Sequence, residues 1–173
     1  MHRLLFALAA LLTAVPAFAA SDCNTLKAAI LKVYQVPVHL YMTDAARDRE
    51  IRNAETIYLN GTTFVKVNGP WRKSQISTKD LADSIEESDQ KLGPCTVVGD
   101  EAVNGEAATL YKIHTQTADE TADSQIWISK SRGLPLKQIS EINVTGAAAK
   151  RHSEIRYEYT NVTAPAVTER PRK

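Results

Sequence analysis

The sequence lacks an excess of either charge. It carries 21 lysine and arginine residues against 20 aspartate and glutamate residues, which leaves a net charge of +1. Proteins that bind nucleic acid usually neutralise phosphates with a surplus of basic side chains gathered on one face. The even balance therefore argues against a nucleic-acid partner.

Catalytic and metal-binding motifs are also missing. No G-x-S-x-G sequence marks a nucleophile elbow, and no histidine lies near either cysteine. His39, His114 and His152 fall on separate predicted strands, without acidic or cysteine residues at a spacing typical of metal ligands. We therefore predict no catalytic residue, no metal site, no cofactor and no enzymatic activity. An enzyme whose polar groups converge only in the fold is the alternative that stays open.

Only one long apolar run is present, and it lies at the N-terminus. A basic start is followed by the apolar residues 4–15 and then by AFA, the small-x-small form that signal peptidase recognises. Residues 1–20 are therefore predicted to be a signal peptide, cleaved after Ala19 or Ala20, and the mature protein is expected in the periplasm. Later apolar runs are far shorter than the roughly 20 residues that span a bilayer, so we predict no membrane-spanning segment.

Only two cysteines occur, and both lie after the predicted cleavage site. In an oxidising compartment we expect a disulfide between Cys23 and Cys95, closing a loop of about 70 residues. Two unpaired thiols are the alternative. Cys23 also resembles a lipidated cysteine, but the residues before it, ASD, lack the leucine and small residues of a lipobox. A soluble exported protein is therefore favoured over a lipoprotein.

Two segments have the periodicity of amphipathic helices. The first is residues 22–35, which Pro37 follows. Its apolar stripe contains Leu26, Ala29, Ile30 and Val33. The second is residues 77–90, which has a narrow apolar face opposite an acidic one. A narrow apolar face suits a helix that lies across a sheet as a cover.

The rest of the chain has the features of β-strands joined by tight turns. Three Asn-Gly pairs, beginning at Asn60, Asn68 and Asn104, are typical of hairpin turns. The predicted strands are residues 38–42, 52–59, 62–67, 95–103, 107–115, 125–129, 134–144 and 151–159. Short connections favour antiparallel neighbours, and strand twist makes a long sheet curl.

The predicted fold class is therefore α+β. We expect one curled antiparallel sheet, an unclosed barrel of about eight or nine strands, with two helices covering its inner face. Residues 21–162 form a single domain in this interpretation. Residues 163–173, which contain prolines and basic residues, are predicted to be a disordered tail.

Three segments together resemble a known family. Residues 99–111 (GDEAVNGEAATLY), 125–129 (QIWIS) and 133–137 (GLPLK) occur in that order. The pattern resembles the LolA-like superfamily of periplasmic lipoprotein-localisation factors. In that family an unclosed antiparallel barrel, with helices in its mouth, holds acyl chains. The resemblance implies a hydrophobic ligand here, a small molecule or a lipid acyl chain; the family's lid-closing arginine and loop contacts have no match in this sequence.

A ligand in a cup-shaped sheet would contact side chains that face inward. The predicted lining consists of Leu40, Met42, Ile57, Val65, Ile113, Trp127, Ile155 and Tyr157. Trp127 alternates with Ile126 and Ile128, so it faces the cavity only if the isoleucines face outward. We hypothesise a periplasmic, non-catalytic protein that binds a lipid or another hydrophobic ligand. The alternative is an envelope protein–protein interaction module with a filled core.

Overall fold

The structure is a computed structural model that describes residues 19–46, 52–87, 94–147 and 150–168. Within these residues the chain forms two helices and nine strands. The helices are α1 (Ala19–Val33) and α2 (Thr78–Glu87). The strands are β1 (Val38–Ala46), β2 (Arg52–Leu59), β3 (Thr62–Val67), β4 (Arg72–Lys73), β5 (Cys95–Val103), β6 (Glu106–Gln116), β7 (Glu120–Ser129), β8 (Pro135–Val144) and β9 (Arg151–Glu158).

All nine strands belong to one sheet, in the order β4-β3-β2-β1-β9-β8-β7-β6-β5. Every neighbouring pair is antiparallel. The strands β4 and β5 form opposite edges and do not pair with each other, so the sheet is unclosed. This arrangement confirms the predicted fold class. It also places the last strand, β9, in the middle of the sheet beside the first.

Tight turns join most sequential neighbours. Asn60 and Gly61 both have positive φ angles, of 50° and 77°, between β2 and β3. Asn104 and Gly105 repeat this geometry, at 51° and 82°, between β5 and β6. Two successive positive φ angles are the requirement of a type I′ turn, whose twist matches that of the flanking strands. Local sequence therefore determines these two hairpins.

Helix α1 packs on the concave face of the sheet. Its apolar stripe, Leu26 and Ala29, is buried against Ile113 and Ile126 of the sheet. Complete burial of a leucine such as Leu26, which is 0% exposed, contributes about 1.5–3 kcal/mol to stability. Cys23 near the start of α1 forms a disulfide with Cys95 at the start of β5, with 5.4 Å between the Cα atoms. The predicted pairing is therefore present, and it fixes the helix to one edge of the sheet.

A second apolar cluster lies on the opposite, convex face. It contains Ala108, Leu110, Trp127 and Leu136, and Trp127 is only 7% exposed. The indole Nε1 of Trp127 donates a hydrogen bond of 2.6 Å to a carboxylate oxygen of Glu101. The sheet therefore carries apolar residues on both faces, with α1 covering only the concave one.

Helix α2 follows the β3–β4 hairpin. Ser77 and Asp80 form a reciprocal cap: the Ser77 amide donates to the Asp80 carboxylate at 2.8 Å, and the Asp80 amide donates to Ser77 Oγ at 3.1 Å. The amide of Thr78, whose side chain is buried, donates to the carbonyl of Gly61 at 3.2 Å. The described helix ends at Glu87, and the predicted end at residue 90 lies outside the described residues.

The predicted chain ends are only partly described. Residues 1–18 of the predicted signal peptide and residues 169–173 of the predicted tail lie outside the described residues. Ala19 and Ala20 are part of α1, and cleavage beside them stays a prediction. The amide of Thr168 donates to the carbonyl of Trp71 at 3.1 Å, and Val167 bridges Trp71 in parallel. The described chain continues to Thr168, and disorder of residues 163–173 stays a prediction.

A polar network ties two hairpins together. The guanidinium of Arg132, in the β7–β8 loop, donates to both carboxylate oxygens of Glu106 at the start of β6, in one case at 2.9 Å. The hydroxyl of Ser129, 1% exposed, also donates to Glu106. The Arg132 guanidinium is the main cause that lowers the pKa of Glu106 below its ordinary value of 4.5. Lys32 of α1 donates to the Arg132 carbonyl at 2.6 Å, which joins the network to the helix.

Reduction of the disulfide is expected to destabilise the fold. The cysteines are 72 positions apart, and closure of a loop this long removes enough unfolded-chain entropy to contribute about 4 kcal/mol. The double variant Cys23→Ser/Cys95→Ser should show this loss in urea unfolding without reductant. Reductant should lower the urea midpoint of the wild type and leave that of the double variant unchanged. Equal unfolding midpoints for the two proteins would contradict the prediction.

Glu106→Gln is expected to lower stability by about 1 kcal/mol at pH 7, since it removes a charged acceptor that is partly exposed. A folded-state pKa below the unfolded value stabilises the fold above pH 4.5, and this contribution is lost as pH falls through the folded-state value. Urea unfolding should therefore show a smaller difference at pH 3.5 than at pH 7. Glu120→Gln, at an exposed position, is the control. An equal loss at both pH values would argue against the ionic contribution.

Candidate functional site

A groove of about 230 Å³ lies on the concave face, beside α1. The apolar stripe of α1 covers the β5–β7 part of that face at Leu26. Farther along the same stripe, Ile30 and Val33 form one wall of the groove, and Tyr34 extends this wall just beyond the helix. The stripe thus completes the core in its first part and bounds the groove in its last part.

The floor of the groove comes from the five strands at the middle of the sheet. Its residues are Leu40, Met42, Thr56, Tyr58, Ile126, Pro135, Gln138, Ile155 and Tyr157. Strand pairing aligns them in rows, because residues opposite each other in register share a face. One row runs Ile126–Gln138–Ile155–Met42. The adjacent row is Tyr157–Leu40–Thr56.

The lining is mostly apolar and contains no charged side chain among its twelve described residues. Its polar atoms belong to three tyrosines, Gln138 and Thr56. Burial is the main cause that raises the pKa of Tyr34, Tyr58 and Tyr157 above the ordinary value of 10. At neutral pH these hydroxyls therefore stay protonated, so the groove is uncharged and offers neutral hydrogen-bonding groups.

The polar groups form two small clusters. At one, the rings of Tyr34 and Tyr58 lie 5.2 Å apart between centroids, with an angle of 41° between their planes. At the other, the Tyr157 hydroxyl donates to Gln138 Oε1 at 3.4 Å, while Gln138 Nε2 donates to Ser140 Oγ at 3.1 Å. These bonds lower the free-energy cost of keeping Gln138 and Tyr157 in an apolar groove.

This arrangement suits noncovalent binding of a small apolar molecule. Binding sites for small molecules are concave and mostly apolar, with a few polar groups that orient the ligand. The volume of 230 Å³ is below the roughly 300–1,000 Å³ typical of drug-sized ligands, so one short chain or one ring fits better than a lipid with several chains. The described lining supplies hydroxyl and amide groups but no carboxylate or imidazole for proton transfer.

Four of the eight predicted lining residues do line the groove. These are Leu40 and Met42 on β1 and Ile155 and Tyr157 on β9. The prediction placed them on alternating positions of two separate segments. The structure brings the segments together by pairing β1 with β9, in which Leu40 faces Tyr157 and Met42 faces Ile155.

The other four predicted residues lie elsewhere. Ile113 is on the concave face but is buried in the core beneath α1. Val65 pairs with Thr56 on the same face, but β3 lies outside the groove. Ile57 and Trp127 are on the convex face, since each alternates with a neighbour, Tyr58 or Ile126, that faces inward. Trp127 therefore serves the second apolar cluster and does not contact a groove ligand.

Eight lining residues were absent from the prediction. They are Ile30, Val33, Tyr34, Thr56, Tyr58, Ile126, Pro135 and Gln138. The inward-facing residues of β2 could have been inferred once Leu40 was placed inside. Residues that pair across a hairpin lie on the same face of the sheet. The groove-lining residues of α1 could not be distinguished in the same way, because Ile30 and Val33 belong to the same apolar stripe as the core residues.

The three histidines of the sheet lie beside carboxylates. The contacts are His39–Glu55 at 2.9 Å, His114–Asp123 at 2.7 Å and His152–Glu141 at 2.5 Å. Each pair joins neighbouring strands, so sequence spacing does not reveal it. Throughout the described ranges, no group of three or more histidine, cysteine, aspartate or glutamate side chains is placed to hold a metal ion. The described part also contains no helix that is long and apolar enough to cross a membrane.

Comparison with known proteins gave structural matches only. No family model and no curated protein matches the sequence. LprF from Mycobacterium bovis aligns with a TM-score of 0.49 at 10% identity, over 88% of this chain and 98% of that one. The Mycobacterium tuberculosis lipoprotein LppX aligns with a TM-score of 0.47 at 10% identity, over 83% and 97%.

A LolA superfamily protein from Nitrosomonas europaea, NE2245, aligns over 82% of this chain and 92% of that one. Its TM-score is 0.31 and its identity 12%. The topology of the chain itself is the one that the sequence resemblance implied: an unclosed antiparallel sheet with a helix against one face.

Proposed function

We propose that this chain is an exported envelope protein that binds one hydrophobic ligand, such as a single acyl chain, in the groove between α1 and the sheet. The observation that carries the proposal is the uncharged, mainly apolar lining of that groove. The Cys23–Cys95 disulfide supports export, because disulfides persist in oxidising compartments. The proposed role is binding without catalysis.

The size of the groove predicts weak, reversible binding. Each buried methylene gains about 0.8 kcal/mol, so about eight methylenes gain roughly 6 kcal/mol. That gain corresponds to a dissociation constant of tens of micromolar at best, because ordering of ligand and side chains opposes it. A protein with this affinity exchanges its ligand readily, which suits a carrier or a sensor better than a store.

Helix α1, which forms one wall of the groove, is attached to the sheet near both of its ends. The disulfide attaches the N-terminal part of α1 to β5. Near the C-terminal end, Lys32 donates to the carbonyl of Arg132 in the β7–β8 loop. A wall attached at two points loses little conformational freedom on binding, so less of the binding free energy is spent on ordering it.

An envelope protein-interaction module is the second candidate, and the edge strand β5 favours it. Val97 and Val98 on this strand are 39% and 49% exposed. An extended peptide can pair with such an edge by backbone hydrogen bonds. However, a bulge between Val97 and Gly99 interrupts the register, and bulges are a usual protection of edges against pairing. The groove therefore remains the leading site.

Filling the groove is expected to weaken ligand binding. Ile155→Trp places a larger side chain on the floor, opposite Met42, and should weaken binding of a fluorescent fatty acid at least tenfold. Val98→Trp adds the same side chain at an exposed position outside the groove and should bind like wild type. Protein purified from the periplasm without detergent should also show adducts of lipid mass in native mass spectrometry. Circular dichroism spectra of both variants should match that of the wild type.

Two results would count against the proposal. A clean apo mass together with no uptake of the fluorescent fatty acid by the wild type would leave the interaction module as the better candidate. Equal uptake by Ile155→Trp and the wild type would show that the ligand binds somewhere other than the groove.

A further inference from the structure

We infer that the groove selects an uncharged ligand that carries a hydrogen-bonding oxygen, as an alcohol, ester or ketone does, and that this oxygen sits between Gln138 and Tyr157. The inference rests on the proposed function and specifies the ligand class of the same site. It follows from three features of the lining: the missing charges, the position of Gln138 and the incomplete hydrogen bonding of its amide.

The missing charges disfavour ionised head groups. The described lining residues include no lysine, arginine, aspartate or glutamate. A carboxylate or ammonium inside the groove would lose its hydration without gaining a partner of opposite charge, and this desolvation penalty is large. A fatty acid can therefore place its chain in the groove only if its carboxylate stays outside in water. A neutral polar group meets no such penalty.

Gln138 is the one amide in an otherwise apolar row. Its register partners are Ile126 on β7 and Ile155 on β9, and both line the groove. A polar side chain between two isoleucines gives this row of the floor a single point where hydrogen bonding is possible. A ligand with one oxygen along an apolar skeleton matches this pattern, whereas a pure hydrocarbon leaves the amide without an additional partner.

The hydrogen bonds of Gln138 leave capacity for that oxygen. Nε2 has two hydrogens, and one of them bonds to Ser140 Oγ at 3.1 Å. Over the described ranges, no second acceptor is bonded to Nε2. The bond from the Tyr157 hydroxyl to Oε1 is 3.4 Å long, well beyond the usual 2.7–2.8 Å for O–H···O. A ligand oxygen can accept the second Nε2 hydrogen and a shorter bond from Tyr157.

The tyrosine pair Tyr34 and Tyr58 offers a ligand hydroxyl groups alone. The two rings lie 5.2 Å apart between centroids, and the amide of the described lining, Gln138, stands beside Ile126 and Ile155 instead. Burial keeps the Tyr157 hydroxyl protonated at neutral pH, since it raises the pKa of this group, and a protonated hydroxyl can donate. The Gln138–Tyr157 pair is therefore the better recognition point.

The inference can be tested with ligands that share a chain but differ in the head group. Full-length mature protein would be loaded with N-phenyl-1-naphthylamine, an uncharged fluorescent probe, and titrated at pH 7 with 1-octanol, nonane, octanoate and octylammonium. We expect 1-octanol to displace the probe about fivefold to tenfold more effectively than the other three, the range typical of one or two hydrogen bonds. Probe uptake itself reports the proposed function.

Variants then assign the preference to the pair. Gln138→Leu and Tyr157→Phe should each bring 1-octanol close to nonane while leaving the binding of nonane unchanged or stronger. Tyr41→Phe removes a hydroxyl from the opposite face of the same sheet, outside the groove, and should keep the preference of the wild type. If Gln138→Leu fails to fold, Gln138→Met and Tyr157→Phe provide the same comparison.

The outcomes separate the two proposals. Uptake of the probe with equal displacement by all four ligands, or with a preference for octanoate, would overturn the inference and leave the proposed function standing. A preference for 1-octanol that survives in both Gln138→Leu and Tyr157→Phe would also overturn it. No uptake of the probe by the wild type would refute the proposed function and this inference together.

Discussion

The packing of α1 against the concave face is the contact on which the rest of the structure depends. A nine-stranded sheet with an apolar concave face needs a cover, and α1 supplies it with Leu26 and Ala29. The disulfide from Cys23 and the hydrogen bond from Lys32 attach the helix at both ends. Because α1 covers only the β5–β7 side, the middle of the face remains open as a groove. One apolar stripe of one helix thus contributes to both the structural core and the candidate site.

The two faces of the sheet have different compositions and different contacts. On the concave face, rows of inward residues form the core and the groove; on the convex face, Trp127 joins a separate apolar cluster and the histidines contact carboxylates. Strand alternation enforces this division, since neighbouring residues must face opposite ways. The uncharged groove and the charged convex surface therefore come from the same strands, and a ligand meets only one of these two environments.

Sequence reasoning anticipated the fold more fully than the site. The Asn-Gly turns, the apolar stripe of α1 and the resemblance in residues 99–137 indicated an unclosed antiparallel sheet, and the structure has one. For the site, Leu40, Met42, Ile155 and Tyr157 were identified because each is an apolar residue on an alternating strand. Ile57 and Trp127 are also apolar residues on alternating strands, but their side chains lie on the other face of the sheet. Gln138 escaped notice since a polar residue on a strand is usually expected to face water.

The sequence by itself determined the local features: two tight turns that need positive φ at Asn-Gly, a helix with one apolar stripe, and two cysteines that can form one disulfide. Only the tertiary structure decided which alternate residues of each strand face inward. It also decided that β9 lies between β1 and β8. That insertion sets Ile155 opposite Met42 and beside Gln138, and so creates the groove. The physical reason is that backbone pairing joins strands distant in the chain, and their packing against α1 selects the register.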